Sequence, residues 1–216
     1  MTAKEFKTTL DLITQEYVAK IPKREIFSLA KEFIRMPVNE VVELLKSKNE
    51  DHKLGAISVL DWKARHKKTS TDEKKEVYKA YINNHHLIDY WGLVDRAAPY
   101  VVGGYLYDKD RTPLYRLAKS KMPMERRTAI VSTYYFIRKD EIDDTFKIAK
   151  ILINDKDEYV QKAVGSWIRE AGKRDESRLK EFLNKYAASM PRVTLRYTIE
   201  KLDRETKDYY LGLKTL

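Results

Sequence analysis

The sequence has 216 residues, 43% of them apolar, with no cysteine and a formal net charge of +10. This length suffices for one substantial apolar core, and the lack of cysteine excludes disulfides, thiolate metal sites and cysteine nucleophiles. Residues 1–110 carry 19 basic and 17 acidic side chains, whereas residues 111–216 carry 24 and 16. The basic C-terminal half favours a polyanionic partner such as nucleic acid, with a solvated lysine-rich surface as the alternative.

The N-terminal segment MTAKEFKTTLDLITQEY mixes charged and apolar residues and lacks the apolar core of a signal peptide. No apolar run approaches the roughly 20 residues that a membrane span requires. We therefore expect a cytoplasmic monomer without membrane association, and a single domain over residues 1–216.

Helix starts recur along the chain. Proline occupies positions where its missing N–H costs no hydrogen bond at the start of a helix, in IPKRE, MPVNE, TPLYR, MPMER and MPRVT. The segments SKNEDHK and KTSTDEKK add capping residues ahead of apolar periodic runs. Apolar residues recur at helical spacing, as in Ile26, Leu29, Ala30 and Phe33, or Phe146, Ala149 and Ile153. These patterns predict an all-α fold of many short helices.

A weak internal repeat aligns four segments. HKLGAISVL, ERRTAIVST and VQKAVGSWI share an alanine at positions 56, 129 and 163, and TLRYTIEKL places Thr198 in the same slot. The intervals from position 129 to 163 and from 163 to 198 each span one repeat, and the interval from 56 to 129 spans close to two. The unit skipped in that longer interval falls at DRAAP (95–99). This spacing predicts a helical-repeat α-α solenoid.

A basic residue lies just before the small residue in each aligned segment. These residues are Lys53, Arg127, Lys162 and Arg196. Recurring once per repeat, they would line one face of the array and match a duplex backbone. The alternative interpretation is four unrelated surface cations.

The stretch YWGLVD (90–95) precedes the small residues of the skipped unit. Trp91 and Asp95 are four positions apart, which places them on one face of a helix. Taken alone, such a pair is more typical of a core tryptophan beside a surface carboxylate. Because the pair lies on the repeat array, within reach of its predicted basic face, we interpret it as a candidate site.

Four blocks in order carry a resemblance to a known family: WGLVDRAAPYVVG (91–103), ERRTAIVSTYYFIR (125–138), VQKAVGSWIREAGK (160–173) and PRVTLRYTIEKL (191–202). Together they resemble the bacterial DNA alkylation repair family, the HEAT-like-repeat DNA glycosylases of the AlkD type. The resemblance extends from about residue 20, and residues 1–20 show no clear correspondence.

The resemblance implies a HEAT/ARM-like superhelix that cups double-stranded DNA and excises cationic N3- and N7-alkylated purines. It implies that Trp91 and Asp95 form the catalytic pair and that Arg127 contacts the backbone near the lesion. The family's second tryptophan follows a glycine, but here Ser166 occupies that slot and Trp167 comes one position later, a rotation of about 100°. Trp167 therefore either reaches the site from a shifted register or belongs to the core. The candidate DNA-binding residues are Arg126, Arg127, Lys162, Arg169, Arg196, Lys53 and Trp167.

The chemistry expected of such a site is modest. A cationic alkylpurine already leaves as a neutral base, so the remaining difficulty is positive charge on the deoxyribose, which a carboxylate and an aromatic face stabilise. No cofactor is required, and the four histidines lack the spacing of a metal site.

Two alternative functions remain: a non-catalytic binder of duplex or branched DNA, and a protein-interaction scaffold.

Overall fold

The computed structural model describes residues 1–213, which form helices and loops without any strand. They divide into two compact units, Met1–Tyr105 and the residues from Leu106 onward. In this described part of the chain, no helix combines the length and apolar character needed to cross a membrane. The predicted all-α class is confirmed.

The first unit is centred on its fourth helix. Its helices are α1 (Ala3–Gln15), α2 (Lys23–Glu32), α3 (Val38–Leu45), α4 (Glu50–Arg65), α5 (Thr71–Asn83) and α6 (Trp91–Ala97). Short 3₁₀ turns occupy Phe33–Arg35 and His85–Leu87, and a π-helical segment (Ala98–Gly103) and α7 (Gly104–Leu106) follow α6. Helix α4 packs against α2, α3, α5 and α6. It is therefore buried on nearly all sides, and even its polar His52 and Asp61 are inaccessible.

Helix α1 is well formed and belongs to this core. Thr2 and Glu5 form a capping box at its start, which satisfies two otherwise unpaired backbone N–H groups. Phe6 is fully buried and lies edge-on to Phe33, with ring centroids 5.1 Å apart. A Cβ on Gly55 of α4 would lie 2.4 Å from the Phe6 ring, so glycine at this position allows α1 to approach α4 closely.

The second unit continues with α8 (Thr112–Leu117), α9 (Pro123–Ser132), α10 (Tyr134–Ile137), α11 (Asp143–Leu152), α12 (Glu158–Gly172), α13 (Glu176–Tyr186), α14 (Arg192–Ile199) and α15 (Arg204–Gly212). Helix α12 packs against α9 on one side and α14 on the other, with α11 and α13 also in contact with it. The three aligned helices of the predicted repeat, α9, α12 and α14, thus form one continuous row.

The predicted helix starts are confirmed. The prolines of the five motifs stand at N-cap positions or in the first turn, at Pro22, Pro37, Pro113, Pro123 and Pro191. The side chains of Asn49 and Ser70 cap α4 and α5 by accepting backbone N–H groups. These starts are decided within one or two turns of chain, so local sequence predicts them well.

The small residues of the repeat frame lie at helix contacts. Ala56, Ala129, Ala163 and Thr198 are all at most 2% exposed. Two positions after Ala163, a Cβ on Gly165 would lie 2.5 Å from the backbone oxygen of Thr194. Helices α12 and α14 therefore approach so closely that their contact requires glycine at position 165.

Candidate functional site

The candidate site begins where the chain enters α6. Tyr90 has an extended backbone, with φ −137° and ψ 155°, and Trp91 is the first helical residue. The Tyr90 ring folds over Gly92, where a Cβ would lie 2.6 Å from a ring carbon. Burial and the nearby carboxylates of Glu50, Asp51 and Asp89 raise the pKa of Tyr90 to about 12, so Tyr90 stays a neutral phenol.

Trp91 is not a core residue. It is 40% exposed, whereas Leu93, Val94 and Ala97 on the opposite side of α6 are fully buried. Asp95 lies one turn after Trp91 and is half-buried. The two side chains thus share the outward face of a helix whose other face is anchored in the core, as the sequence predicted.

A lysine that the sequence analysis did not single out lies beside Trp91. The Nζ atom of Lys23, at the start of α2, is 5.5 Å from the centroid of the Trp91 ring. Lys23 itself is exposed. The Trp91 ring therefore already attracts a cation in this arrangement. The position of Lys23 after Pro22 carried no signal of this contact, because α2 and α6 meet only in the tertiary fold.

Lys53 is not part of an open basic face, because its side chain is paired with the segment that precedes Trp91. Its Nζ atom is 2.5 Å from a carboxylate oxygen of Asp89 and 3.2 Å from the Leu87 carbonyl oxygen. Its side chain is only 13% exposed. Lys53 therefore ties α4 to the segment that precedes Trp91, a contact that competes with its predicted role at DNA.

A buried charged cluster ties α4 to the end of α6. The carboxylate of Asp61 is fully buried, with Oδ1 2.8 Å from Nε of Arg65 and Oδ2 3.2 Å from Nη2 of Arg96. Arg96 also donates through Nε to the Ser58 hydroxyl at 3.1 Å. Burial raises the pKa of Asp61 against the opposing effect of the two arginines, and burial lowers the pKa of Arg96. The two arginines thus oppose the effect of burial on the pKa of Asp61, and Asp61 opposes the effect of burial on the pKa of Arg96.

Arg126 and Arg127 of α9 are engaged within the second unit. Arg126 makes a bidentate pair with Asp155, at 2.6 and 2.9 Å, and donates to the Ser120 and Lys121 carbonyls at 3.0 Å. The pair with Asp155 raises the pKa of Arg126. Arg127 is only 7% exposed and donates to the Tyr159 carbonyl at the start of α12. The structure thus corrects the expectation that Arg127 stands on an open face.

Of the other predicted cations, Lys162 and Arg196 are more accessible, whereas the Arg169 side chain is as little exposed as that of Arg126. Lys162 pairs with Glu158 one turn earlier, at 2.6 Å, and this hydrogen bond raises the pKa of Lys162. Arg169 pairs with Glu200, the residue directly after α14, and more weakly with Glu170. Arg196 is exposed, and within residues 1–213 no carboxylate forms an ion pair with it. Arg196 is therefore the best placed of the predicted cations to meet an external anion.

Trp167 is neither fully buried nor isolated. It is half-buried on α12, and its ring centroid is 4.9 Å from that of Tyr134 on α10. The preceding Ser166 is also half-buried. The Trp167 ring therefore packs on another aromatic side chain while part of it stays open, and its contact with DNA stays a prediction.

Within residues 1–213, no group of three histidine, aspartate or glutamate side chains could hold a metal ion.

A protein-family model described as DNA alkylation repair enzyme matches residues 7–202. A solved structure, a predicted DNA alkylation repair enzyme from Enterococcus faecalis, is 16% identical with a TM-score of 0.65, covering 94% of this chain and 98% of that one. No curated protein is a significant match. The matched fold confirms the predicted helical repeat, and the match from residue 7 corrects the expectation that residues 1–20 lack a counterpart.

Proposed function

Because the chain belongs to the DNA alkylation repair enzyme family, we propose that it is a DNA glycosylase that releases cationic N3- and N7-alkylated purines from duplex DNA. The observation that carries this proposal is the exposure of Trp91 one helical turn from Asp95 on a helix whose opposite face is buried. An exposed tryptophan is unusual in a folded protein, and here it stands beside a carboxylate on the outward face.

The proposed reaction is hydrolysis of the bond between C1′ and the base nitrogen. The bonding electrons leave with the purine, which departs neutral because it carried a positive charge. Positive charge then develops on the sugar, and the Asp95 carboxylate stabilises it. Water adds its oxygen to C1′ and loses one proton, leaving an abasic site. The step as proposed uses no cofactor and no metal.

Trp91 contributes through the face of its ring. A cationic base or sugar is attracted by the negative face of an indole, the interaction that the Lys23 ammonium makes at 5.5 Å. We propose that an alkylated nucleotide replaces Lys23 at this ring. The displaced ammonium would then meet a neighbouring phosphate, since both partners gain from counterion release.

The second unit supplies the remaining proposed contacts with DNA. Arg196 is available as it stands, and Lys162 and Arg169 would exchange their carboxylate partners for phosphates. For Arg126, Arg127 and Trp167 we keep DNA contact as a proposal, limited by their partial burial. We also propose that residues 1–216 act as one DNA-binding domain, as a monomer on alkylated double-stranded DNA in the bacterial cytosol.

Arg196→Ala is expected to weaken binding to alkylated and unmodified duplexes alike, because a phosphate contact carries no sequence or lesion information. The slope of log affinity against log salt should fall by about 1. Arg204→Ala is a matched control, since it removes the same charge from a side chain that is 96% exposed on α15. Fluorescence anisotropy over a salt series measures both variants. Equal salt slopes for the two variants would exclude a specific contact at Arg196.

The glycosylase proposal is tested by incubating near-stoichiometric protein with a duplex containing one N7-methylguanine. We expect release of the free base and an equal yield of abasic sites, measured by chromatography and by alkaline strand cleavage. Binding without release would instead identify a non-catalytic DNA binder, the reading favoured by Ser166 in the family tryptophan slot. Failure to bind duplex DNA at low salt would leave a protein-interaction scaffold.

A further inference from the structure

The helix that carries Trp91 and Asp95 is held to α4 by ion pairs near both of its ends. Lys53 pairs with Asp89 two residues before Trp91, and Asp61 pairs with Arg96 directly after Asp95. Lys53 and Asp61 are two turns apart on α4, a span of about 12 Å. Both attachments therefore come from one face of a single rigid helix.

The aromatic side chains around Arg96 hold its guanidinium group in one orientation. Its guanidinium lies 4.2 Å from the Phe27 ring centre and 5.3 Å from that of Trp62. The Trp62 indole in turn donates to the Phe27 carbonyl at 3.0 Å. Arg96 thus enters a slot built by α2 and α4. Because neighbouring residues on a helix are about 100° apart, fixing Arg96 fixes the direction in which Asp95 points.

The pair is poorly explained as a device for stability. Asp61 is fully buried, and its Oδ2 and the Arg96 Nη2 lie 3.2 Å apart without hydrogen-bond geometry to any partner in residues 1–213. A buried ion pair with incomplete hydrogen bonding is commonly no more stabilising than apolar side chains of the same volume. The ion pair is better suited than apolar packing to fixing the orientation of α6.

We propose that Asp61 and Arg96 are positioning residues that set the rotation of α6 and aim Asp95 at the reacting sugar, with Lys53 and Asp89 holding the approach to Trp91. This inference rests on the proposed glycosylase function for its catalytic meaning. The reason for a large effect is geometric, since misplacing a catalytic group by about 1 Å can cost roughly 100-fold in rate.

The test replaces the Asp61–Arg96 ion pair in the double variant Asp61→Leu, Arg96→Met; Arg65, the other partner of Asp61, has a side chain that is 34% exposed and stays in contact with solvent. We expect a melting temperature equal to or above that of the wild type, unchanged affinity for alkylated duplex, and a single-turnover excision rate about 10- to 100-fold lower. Lys63→Met is the matched control. It removes an ion pair of the same helix, 2.7 Å long, in which the Lys63 side chain is almost fully buried and the Glu73 side chain is 37% exposed, and which joins α4 to α5 and not to α6.

A second readout does not depend on catalysis. Hydrogen exchange measured by mass spectrometry should show faster exchange in a peptide covering 91–97 of the double variant, with α12 unchanged. Wild-type excision by the double variant, or an equal loss in Lys63→Met, would overturn the proposal. If the wild type releases no base, the glycosylase assignment fails, and the exchange of 91–97 still decides whether the pair fixes α6.

Discussion

Asp95→Asn is expected to lower the rate of base release by about 10²–10³-fold, the usual effect of removing one preorganised electrostatic partner of a transition state. Asparagine keeps the size of the side chain and its capacity for hydrogen bonds, but it cannot oppose positive charge on the sugar. Because DNA is held mainly through phosphates, affinity for the duplex should not fall. Single-turnover release of N7-methylguanine and a binding titration measure the two quantities separately.

Glu76→Gln is the control for the loss of one negative charge. Glu76 is an exposed residue of α5 in the same unit, so its substitution should leave excision unchanged. A rate for Asp95→Asn equal to that of the control would remove Asp95 from the mechanism. A loss of DNA affinity that accounts for the whole effect would assign Asp95 to binding instead of catalysis.

Phe6→Ala should lower the free energy of unfolding by about 3–5 kcal/mol, as expected for removing a fully buried aromatic ring. The ring fills the space above Gly55 of α4 and contacts Phe33. Urea unfolding followed by circular dichroism measures the change. Leu12→Ala on the same helix, where the side chain is 59% exposed, should change it by no more than about 0.5 kcal/mol.

This prediction concerns the site as well as the fold. The Phe6 ring lies against Gly55 of α4, and α4 also packs against α6, so the cavity left by Phe6→Ala weakens the support of the helix that carries Lys53 and Asp61. We expect excision to fall near the melting temperature of Phe6→Ala while remaining close to wild type well below it. A destabilisation below about 1 kcal/mol would contradict the packing of α1 on α4.

Local sequence predicted helix starts and the face on which the candidate pair lies. Proline and capping residues mark helix starts because they act on backbone groups within one turn. The spacing of Trp91 and Asp95 places both on one face as soon as α6 forms. The alanine and threonine of the repeat frame marked helix contacts correctly, since a small side chain is needed wherever two helices approach closely.

The all-α class and the shared face of Trp91 and Asp95 could be predicted from the sequence alone, because both depend on residues close together in the chain, and the helical repeat could be predicted from the recurrence of similar segments. Which cations are exposed and which are held in ion pairs became known from the packing of the helices. Lys53 pairs with Asp89 and Asp61 with Arg96 across about 35 residues of chain. Arg127 is buried while Arg196 is exposed, although both occupy the same type of position in the repeat. Exposure and ion pairing depend on which helices pack together, and helical periodicity does not record that.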